Sequence, residues 1–457
     1  MAIRKPSALP PRALVRGLSL IELMIAIAMG MVIVGALLAL YLNVTRTNNE
    51  MAKMNRQIEN GRFAIQLLQD DVVHAGFWGA YVPQFDDLTA VTAPLDAPNA
   101  LPDPCLDYAA WTAPYISNLV GIPVQGYDAA PASCAMVASP QANTDVLVVR
   151  HAQPCVAGVG TCEADVAGKL YFQSTLCEDE VSATAQQPNS LTTIKLNAAA
   201  SSDDDYYNGV VIRIVSGVGT GQSRKIIDYD GTTRVATVDT PWTIIPDNSS
   251  IYAFGLGYVL AKSGHFYHAM NCATLAPKRK FVSNIYYVRD FAVTAGDGIP
   301  TLMRSTFDEA GGALAHQSAQ PLIEGIEGFR VEYGIDSRSD TNAPVNYTAG
   351  VAWQDPLNKV SPTNRGDGIP ETYVTPAALT CAAVSAGTTP DTCPAANVVA
   401  VRIHVLARSL ERTPGYTDTK IYRLGDKVMG PFNDGFKRHV FSTTVRLVNP
   451  AGRRDTP

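Results

Sequence analysis

Eight cysteines carry the clearest chemistry in this 457-residue chain: Cys105, Cys134, Cys155, Cys162, Cys177, Cys272, Cys381 and Cys393. They are even in number and all lie beyond a long apolar stretch near the amino terminus. Such a set is what four disulfides in an oxidising compartment require, and spacing alone does not choose among their pairings. Only Cys155/Cys162 and Cys381/Cys393 are close in sequence, and no CxxC pair exists, which speaks against zinc-ribbon and thioredoxin-like chemistry. His265 and His268 with Cys272 approach a metal-ligand spacing but lack a fourth ligand and need a free thiolate, so a loop beside a disulfide is expected there.

Gly217, Gly219 and Gly221 precede Lys225 without a following Gly-Lys-Ser/Thr, and β-patterned residues flank them; a hairpin turn is expected, not a phosphate loop. Two oxygen-rich sets, Asn364/Asp367/Glu371 and Asp336/Asp340/Asn342, have the donor chemistry of calcium without EF-hand spacing, and turn formation accounts for both. Arg365-Gly366-Asp367 lies in a Gly/Pro-rich loop and reads as a chance tripeptide. No local nucleophile signature emerges, so no enzymatic activity, cofactor or metal is expected.

The last chemically placed residue is Glu22, alone in the apolar run of residues 18–42, LSLIELMIAIAMGMVIVGALLALYL. As a helix this run is about 37 Å long, enough to cross a bilayer. Arg4, Lys5, Arg12 and Arg16 precede it with no acid among them, which places the amino terminus in the cytoplasm and the cysteines outside. The run is too long for a signal-peptide core and lacks its small-residue ending. A plain signal anchor explains everything except Glu22, because a carboxylate this deep costs about 2.5 to 3.5 kcal/mol and so implies a partner. Ala26/Gly30 and Gly35/Ala39 add small-residue spacings that permit close helix approach.

The helical pattern continues through residues 43–76 in amphipathic form, with Met51, Met54, Ile58, Phe63, Leu67, Leu68 and Val72 as the expected stripe against a head and a stop near His74 to Gly76. Residues 81–141 are rich in Pro, Ala and Asp and read as surface loops. Strands are expected at 144–150, 210–215, 224–229, 232–238 and 251–254, with an Asp230/Gly231 turn, so that a β-rich insertion occupies about residues 190–256. Alternation in 329–335, 399–406 and 440–448 predicts a sheet with one face covered by the amphipathic helix. Without the four leader cations the chain keeps 32 basic against 42 acidic residues, a net charge of −10 that argues against a nucleic-acid surface.

Gly17, Leu18, Ser19, Leu20, Ile21 and Glu22 resemble the prepilin cleavage motif, with Gly before the cut and Glu at the fifth mature position. Leu18 departs from the more usual Phe or Met. Residues 58–79, 296–305, 322–336 and 397–409 further resemble PilW-type minor pilins of the type IV pilus. The resemblance implies a leader at residues 1–17, cleavage by prepilin peptidase between Gly17 and Leu18 with amino-methylation, and Glu22 pairing with a neighbouring subunit's new amine. It implies an α+β, type IV pilin-like fold: a long N-terminal helix packed on an antiparallel head of residues 77–457 with a large β-rich insertion. The implied partners are other minor pilins, the major pilin, the inner-membrane assembly platform and a large tip adhesin. The implied location is the inner membrane with a periplasmic head, then the pilus tip. Two alternatives are a J-type pseudopilin of type II secretion and a tip adhesin carried by residues 81–276.

Overall fold

A computed structural model describes residues 19–89, 94, 96–175, 177, 181–208, 210–254, 257–262, 268–269, 271, 273–381 and 393–455. The chain is α+β and divides into two compact units, Met1–Asn55 and Arg56–Pro457. Helix α1 (Leu20–Val72) is 53 residues long and runs through the boundary without a break. In the first unit its apolar side chains are all exposed.

In the second unit, α1 buries Gln57, Gly61, Ala64, Leu68 and Val72, a stripe repeating every three or four residues. This stripe is offset from the expected one: Leu68 and Val72 are buried, but Met51, Met54, Ile58 and Phe63 are exposed. Small residues win the contact because the sheet approaches closely. A Cβ on Gly61 would lie 2.1 Å from the Phe441 ring, and Gln57 Nε2 donates to Ala407 O at 2.8 Å. Helix α1 stops at Val72, and the turn after it ends on Gly76 with φ +72°. Helix α3 (Val448–Arg454) closes that end: Asn449 donates to the carbonyls of His74 and Ala75, and Arg453 to that of Gly76.

Below the stripe lies a sheet of Thr372–Val374, Ile326–Ile335, Val398–Arg408 and Arg438–Arg446, antiparallel throughout. Its inner face puts Phe329, Val331, Tyr333, Val401, Ile403 and Val405 in one core with Ala64, Leu68 and Val72. The outer face is covered in part, by the ribbon of Tyr422–Leu424 and Lys427–Met429, while Ser442 and Thr444 on the last strand stay exposed. Other polar residues there are buried in pairs instead of hydrated. Arg438 reaches Glu327, Asp418 at 2.9 Å and Asp434 at 2.7 Å, while Arg330 pairs with Asp145.

A second sheet joins Val124–Tyr127, Val146–Ala152, Arg279–Arg289, Thr301–Ala310 and Ala313–His316, with Gln320–Glu324, Tyr171–Ser174 and Tyr258–Ala261 attached. The region read as loops between 81 and 141 contributes helix α2 (Ala113–Gly121) and the strand Val124–Tyr127 to this layer. Its Pro-rich flanks hide a short apolar run that buries Leu119, Val120, Ile122 and Val124. A third sheet, in the order Val181–Thr184, Ile251–Phe254, Val211–Ser216, Ser223–Asp230, Val235–Val238, Thr193–Lys195, has its own core around Ile212, Ile226, Tyr229, Trp242 and Phe254. It starts at Val181, so it reaches beyond the 190–256 stretch, because Val181–Thr184 pairs with Ile251–Phe254.

His316 ends the Ala313–His316 strand, is buried, and faces Ser283 Oγ at 3.2 Å and Ser305 Oγ at 3.3 Å. Burial, with repulsion from the Arg150 guanidinium, pushes its imidazolium down to about 3. The unfolded chain takes up that proton near pH 6.5, about where free histidine titrates. Stability is therefore lost as pH falls from about 6.5 towards 3, at up to about 1.4 kcal/mol per pH unit. The denaturant midpoint of the protein should drop over that window, and His316→Gln should flatten the dependence; an unchanged slope in the variant would refute this assignment. Gly61→Ala should lower the melting temperature although alanine is the better helix former by about 1 kcal/mol, because overpacking costs about 1 to 3 kcal/mol. A raised melting temperature would show that Phe441 moves aside freely.

Candidate functional site

The start of α1 is where the sequence placed its chemistry. Gly17 and Leu18 lie outside the described residues; Ser19 and Glu22 lie within them. Ser19 is the residue before the first helical position. Its Oγ accepts from the Glu22 N–H at 3.3 Å, and Glu22 Oε2 accepts from the Ser19 N–H at 2.9 Å. This reciprocal pair satisfies two backbone donors that a helix start otherwise leaves open. The Ser-x-x-Glu spacing in the sequence is the local signal of this box. Among the described residues, α1 is the one helix long and apolar enough to cross a membrane, and none of its most apolar stretch is buried within the chain. Around Gly30 and Gly35 no atom approaches where a Cβ would sit, so their close-approach surface is open.

Further along α1, within the second unit, Asp71 is held by three partners. His151 Nε2 lies 3.0 Å from Oδ1, and Asn284 and Tyr286 donate to Oδ2 at 2.9 Å each. Burial works against this carboxylate, but the His151, Asn284 and Tyr286 contacts outweigh it and hold Asp71 below its ordinary range. Beside it, Phe63, Gln66, Leu67, Asp70 and Arg304 line a groove of about 420 Å³. The helix thus offers an exposed face of Ile58, Phe63 and Asp70 next to a locked buried one.

The cysteines divide as follows. Cys105 pairs with Cys134, Cys155 with Cys162 and Cys381 with Cys393. Cys177 is disulfide-bonded as well, and Cys272 lies outside the described residues. His265 also lies outside them, while His268 sits in an isolated bridge to Leu275. Gly217, Gly219 and Gly221 all take positive φ in the turn between Val211–Ser216 and Ser223–Asp230. Lys225 is buried on the second of these strands and cannot serve an exposed anion loop. Arg365 is 1% exposed and donates to the carbonyls of Asn346 and Ala349, so the Arg-Gly-Asp tripeptide is a folding element and not a displayed ligand.

The two oxygen-rich sets are reshuffled. Asn364 closes its own loop, accepting from Ala352 N–H and donating to Gly350 O. Asp367 and Glu371 from the first set and Asp336 from the second come together, with their ligand oxygens within 4.8 Å of one another. They lie about 30 residues apart in the chain and meet through the pairing of strand Ile326–Ile335 with Thr372–Val374 and through the Gly368 N–H bond to Asp336, contacts that no local pattern encodes. Burial pushes Asp336 up to about 6; burial also raises Asp367, with Glu371 and Asp340 adding repulsion.

The geometry defines a class first: an α+β protein with one membrane-length, unburied helix and a disulfide-braced, sheet-rich unit. Residues 285–449 match the family model PilW, described as Type IV Pilus-assembly protein W. The match supports a PilW-type, type IV pilus assembly-related protein, and the apolar helix is compatible with its membrane anchor. The matched stretch contains the sheet under α1 and the acidic cluster, and excludes α1 and the six-stranded sheet. Comparison with curated proteins and with solved structures gives no match.

The capping box makes a separate forecast. Ser19→Ala should cost about 1 kcal/mol of helix start and speed amide exchange over the first turn of α1 in the detergent-solubilised protein. Unaltered exchange there would mean the box does not form.

Proposed function

We propose that the protein is a minor pilin that helps initiate type IV pilus assembly and resides in the tip complex. The observation that carries this is the conjunction of a helix start bearing one carboxylate on an otherwise uncompensated apolar surface with a PilW match in the sheet-rich unit. Prepilin peptidase removes residues 1–17, taking four cations with them and creating an α-amino group on Leu18. Glu22 then serves two partners. Its Oε2 holds the Ser19 N–H, and its Oε1 is available to the Leu18 ammonium of a neighbouring subunit, which neutralises both charges within the apolar filament core. The exposed apolar side chains from Leu20 to Leu42, which sit in lipid before assembly, become subunit contacts after it. Other minor pilins, the major pilin, the assembly platform and a tip adhesin are its partners in this reading, and its role there is structural and not catalytic.

The six-stranded sheet favours an accessory role for the insertion, because it has a core of its own and lies outside the matched stretch. A tip-borne ligand-binding module of that kind would be separable from assembly.

The test compares two substitutions on the same helix start. Glu22→Ala should strip the protein from sheared pili and reduce pilus number, whereas Ser19→Ala should retain assembly because it loosens only the cap. Normal piliation in the Glu22→Ala strain would sink the pairing role. Intact mass should correspond to a chain beginning at Leu18. Deletion of the gene should abolish twitching; loss of exoprotein secretion with twitching intact would instead identify a secretion pseudopilin.

A further inference from the structure

The pentapeptide Gly-Asp-Gly-Ile-Pro occurs twice, at residues 296–300 and 366–370, and the structure gives the two copies the same turn and opposite chemistry. In both, the Asp Oδ1 accepts the N–H of the Ile two residues on at 2.9 Å, and the second Gly takes positive φ, +68° at Gly298 and +78° at Gly368. Asp297 is then saturated by backbone donors: Ala292, Val293 and Thr294 also give their N–H groups to it, and these contacts hold it well below the carboxylate range. Asp367 has no such nest. Its carboxylate meets Asp336 and Glu371, with all three ligand oxygens inside 4.8 Å.

Asp336 is fully buried. Its Oδ2 accepts from Gly368 N–H at 2.9 Å and from Arg454 Nη1 at 3.3 Å, but its Oδ1 has no hydrogen-bond partner among the described residues. A buried carboxylate oxygen without a donor costs about 1 to 3 kcal/mol or more, and the approach of other carboxylates adds to that. The backbone is built to permit this approach: a Cβ on Gly366 would lie 2.0 Å from Asp336 Oδ2. Glu371 is fixed through Oε2 by the N–H and Oγ of Ser337, at 2.7 and 3.2 Å.

Charge balance points the same way. Asp86, Asp336, Asp340, Asp367 and Glu371 interact with one another or with the guanidiniums of Arg365, Arg453 and Arg454. Five carboxylates against three guanidiniums leave the neighbourhood with two negative charges in excess. Arg454 does not make up the difference, because it is shared with Asp86 at 2.9 Å.

We propose that Asp336, Asp367 and Glu371 form a calcium site that ties the 364–371 loop to the end of strand Ile326–Ile335. The donor set is all oxygen, which suits a hard divalent cation and not zinc. Three protein carboxylates around one ion suit calcium, which takes about 6 to 8 oxygens in flexible geometry, better than magnesium, which usually keeps several waters and takes one or two carboxylates. The ion supplies the two missing positive charges and gives Asp336 Oδ1 its partner. The Asp297 turn, satisfied by amides, needs none.

The experiment uses the full chain in detergent, stripped with EDTA and then returned to calcium chloride or magnesium chloride. Saturating calcium should raise the melting temperature by about 2 to 5 °C over EDTA, magnesium should raise it by much less, and equilibrium dialysis should find one calcium per chain. Asp367→Asn/Glu371→Gln keeps the Asx turn and the Ser337 contact while removing two charges. It should fold, melt in EDTA at or above the wild-type temperature because repulsion is relieved, and lose the calcium shift. Asp297→Asn should melt lower yet retain that shift. No calcium shift in the wild type, an equal shift with magnesium, or an equal calcium shift in the double variant would each overturn the assignment.

Discussion

An apolar helix surface that its own chain does not bury is the constraint on which the rest of this molecule depends. From Leu20 to Leu42 the large side chains of α1 are half to four-fifths exposed. Burial of such side chains is worth about 1.5 to 3 kcal/mol each, so leaving this surface in water is costly, and the helix is compatible with a membrane anchor. A single carboxylate is set into that surface, at the third helical position, where the positive end of the helix dipole and the Ser19 N–H both favour it. The same position keeps Glu22 near the amino-terminal rim of the apolar run.

The second unit answers a different demand, which is to grip α1 closely enough to hold it by backbone contact. Gly61 and Ala64 permit that approach, and Gln57 and Asn60 reach past the gap to the carbonyls of Ala407 and Glu324. Large residues at the Gly61 and Ala64 positions would hold the sheet away, so the large residues of those turns face elsewhere. Ile58 and Phe63 thereby remain exposed on a helix that is otherwise firmly docked in this unit. The far end is closed by α3, which brings Arg453 and Arg454 onto Asp86 and ties the carboxy terminus to the turn after α1.

Much of this was legible in the sequence, and the failures have physical causes. Strands with β-branched residues and clear turn signals, such as Ile251–Phe254 and Val398–Arg408, stand where alternation put them. Hydrophobicity located Leu68 and Val72 on the stripe but missed its earlier turns, where Gln57, Gly61 and Ala64 make the contact and carry little hydrophobic signal. Alternation also implied a wet outer face for the sheet at 326–335. Around Glu327, Arg330 and Arg438 that face is polar but dry, because Arg330 finds Asp145 and Arg438 finds Glu327 and Asp418, all far away in the chain. Pairing of this kind is a tertiary fact that no local pattern encodes. The acidic cluster was missed for the same reason, since Asp336 and the 364–371 loop meet only once the sheet has formed.

The buried ion pairs and the acidic cluster obey one rule with different outcomes. Breaking a buried charge network by removing one member costs about 3 to 5 kcal/mol, although the complete network adds little over an apolar core. Such groups therefore specify which strand and loop meet more than they add stability. Arg438 is complete in this sense, enclosed by three carboxylates and stacked over Phe432. Asp336 is not, because its one guanidinium is shared and one oxygen is left over. A buried carboxylate oxygen left without a donor, in a neighbourhood short of two positive charges, points by its chemistry to a cation. The repeated Gly-Asp-Gly-Ile-Pro turn shows how a chain solves the same problem with amides where the backbone can curl around the carboxylate. Where the backbone cannot, beside the end of a sheet strand, a cation is the remaining solution.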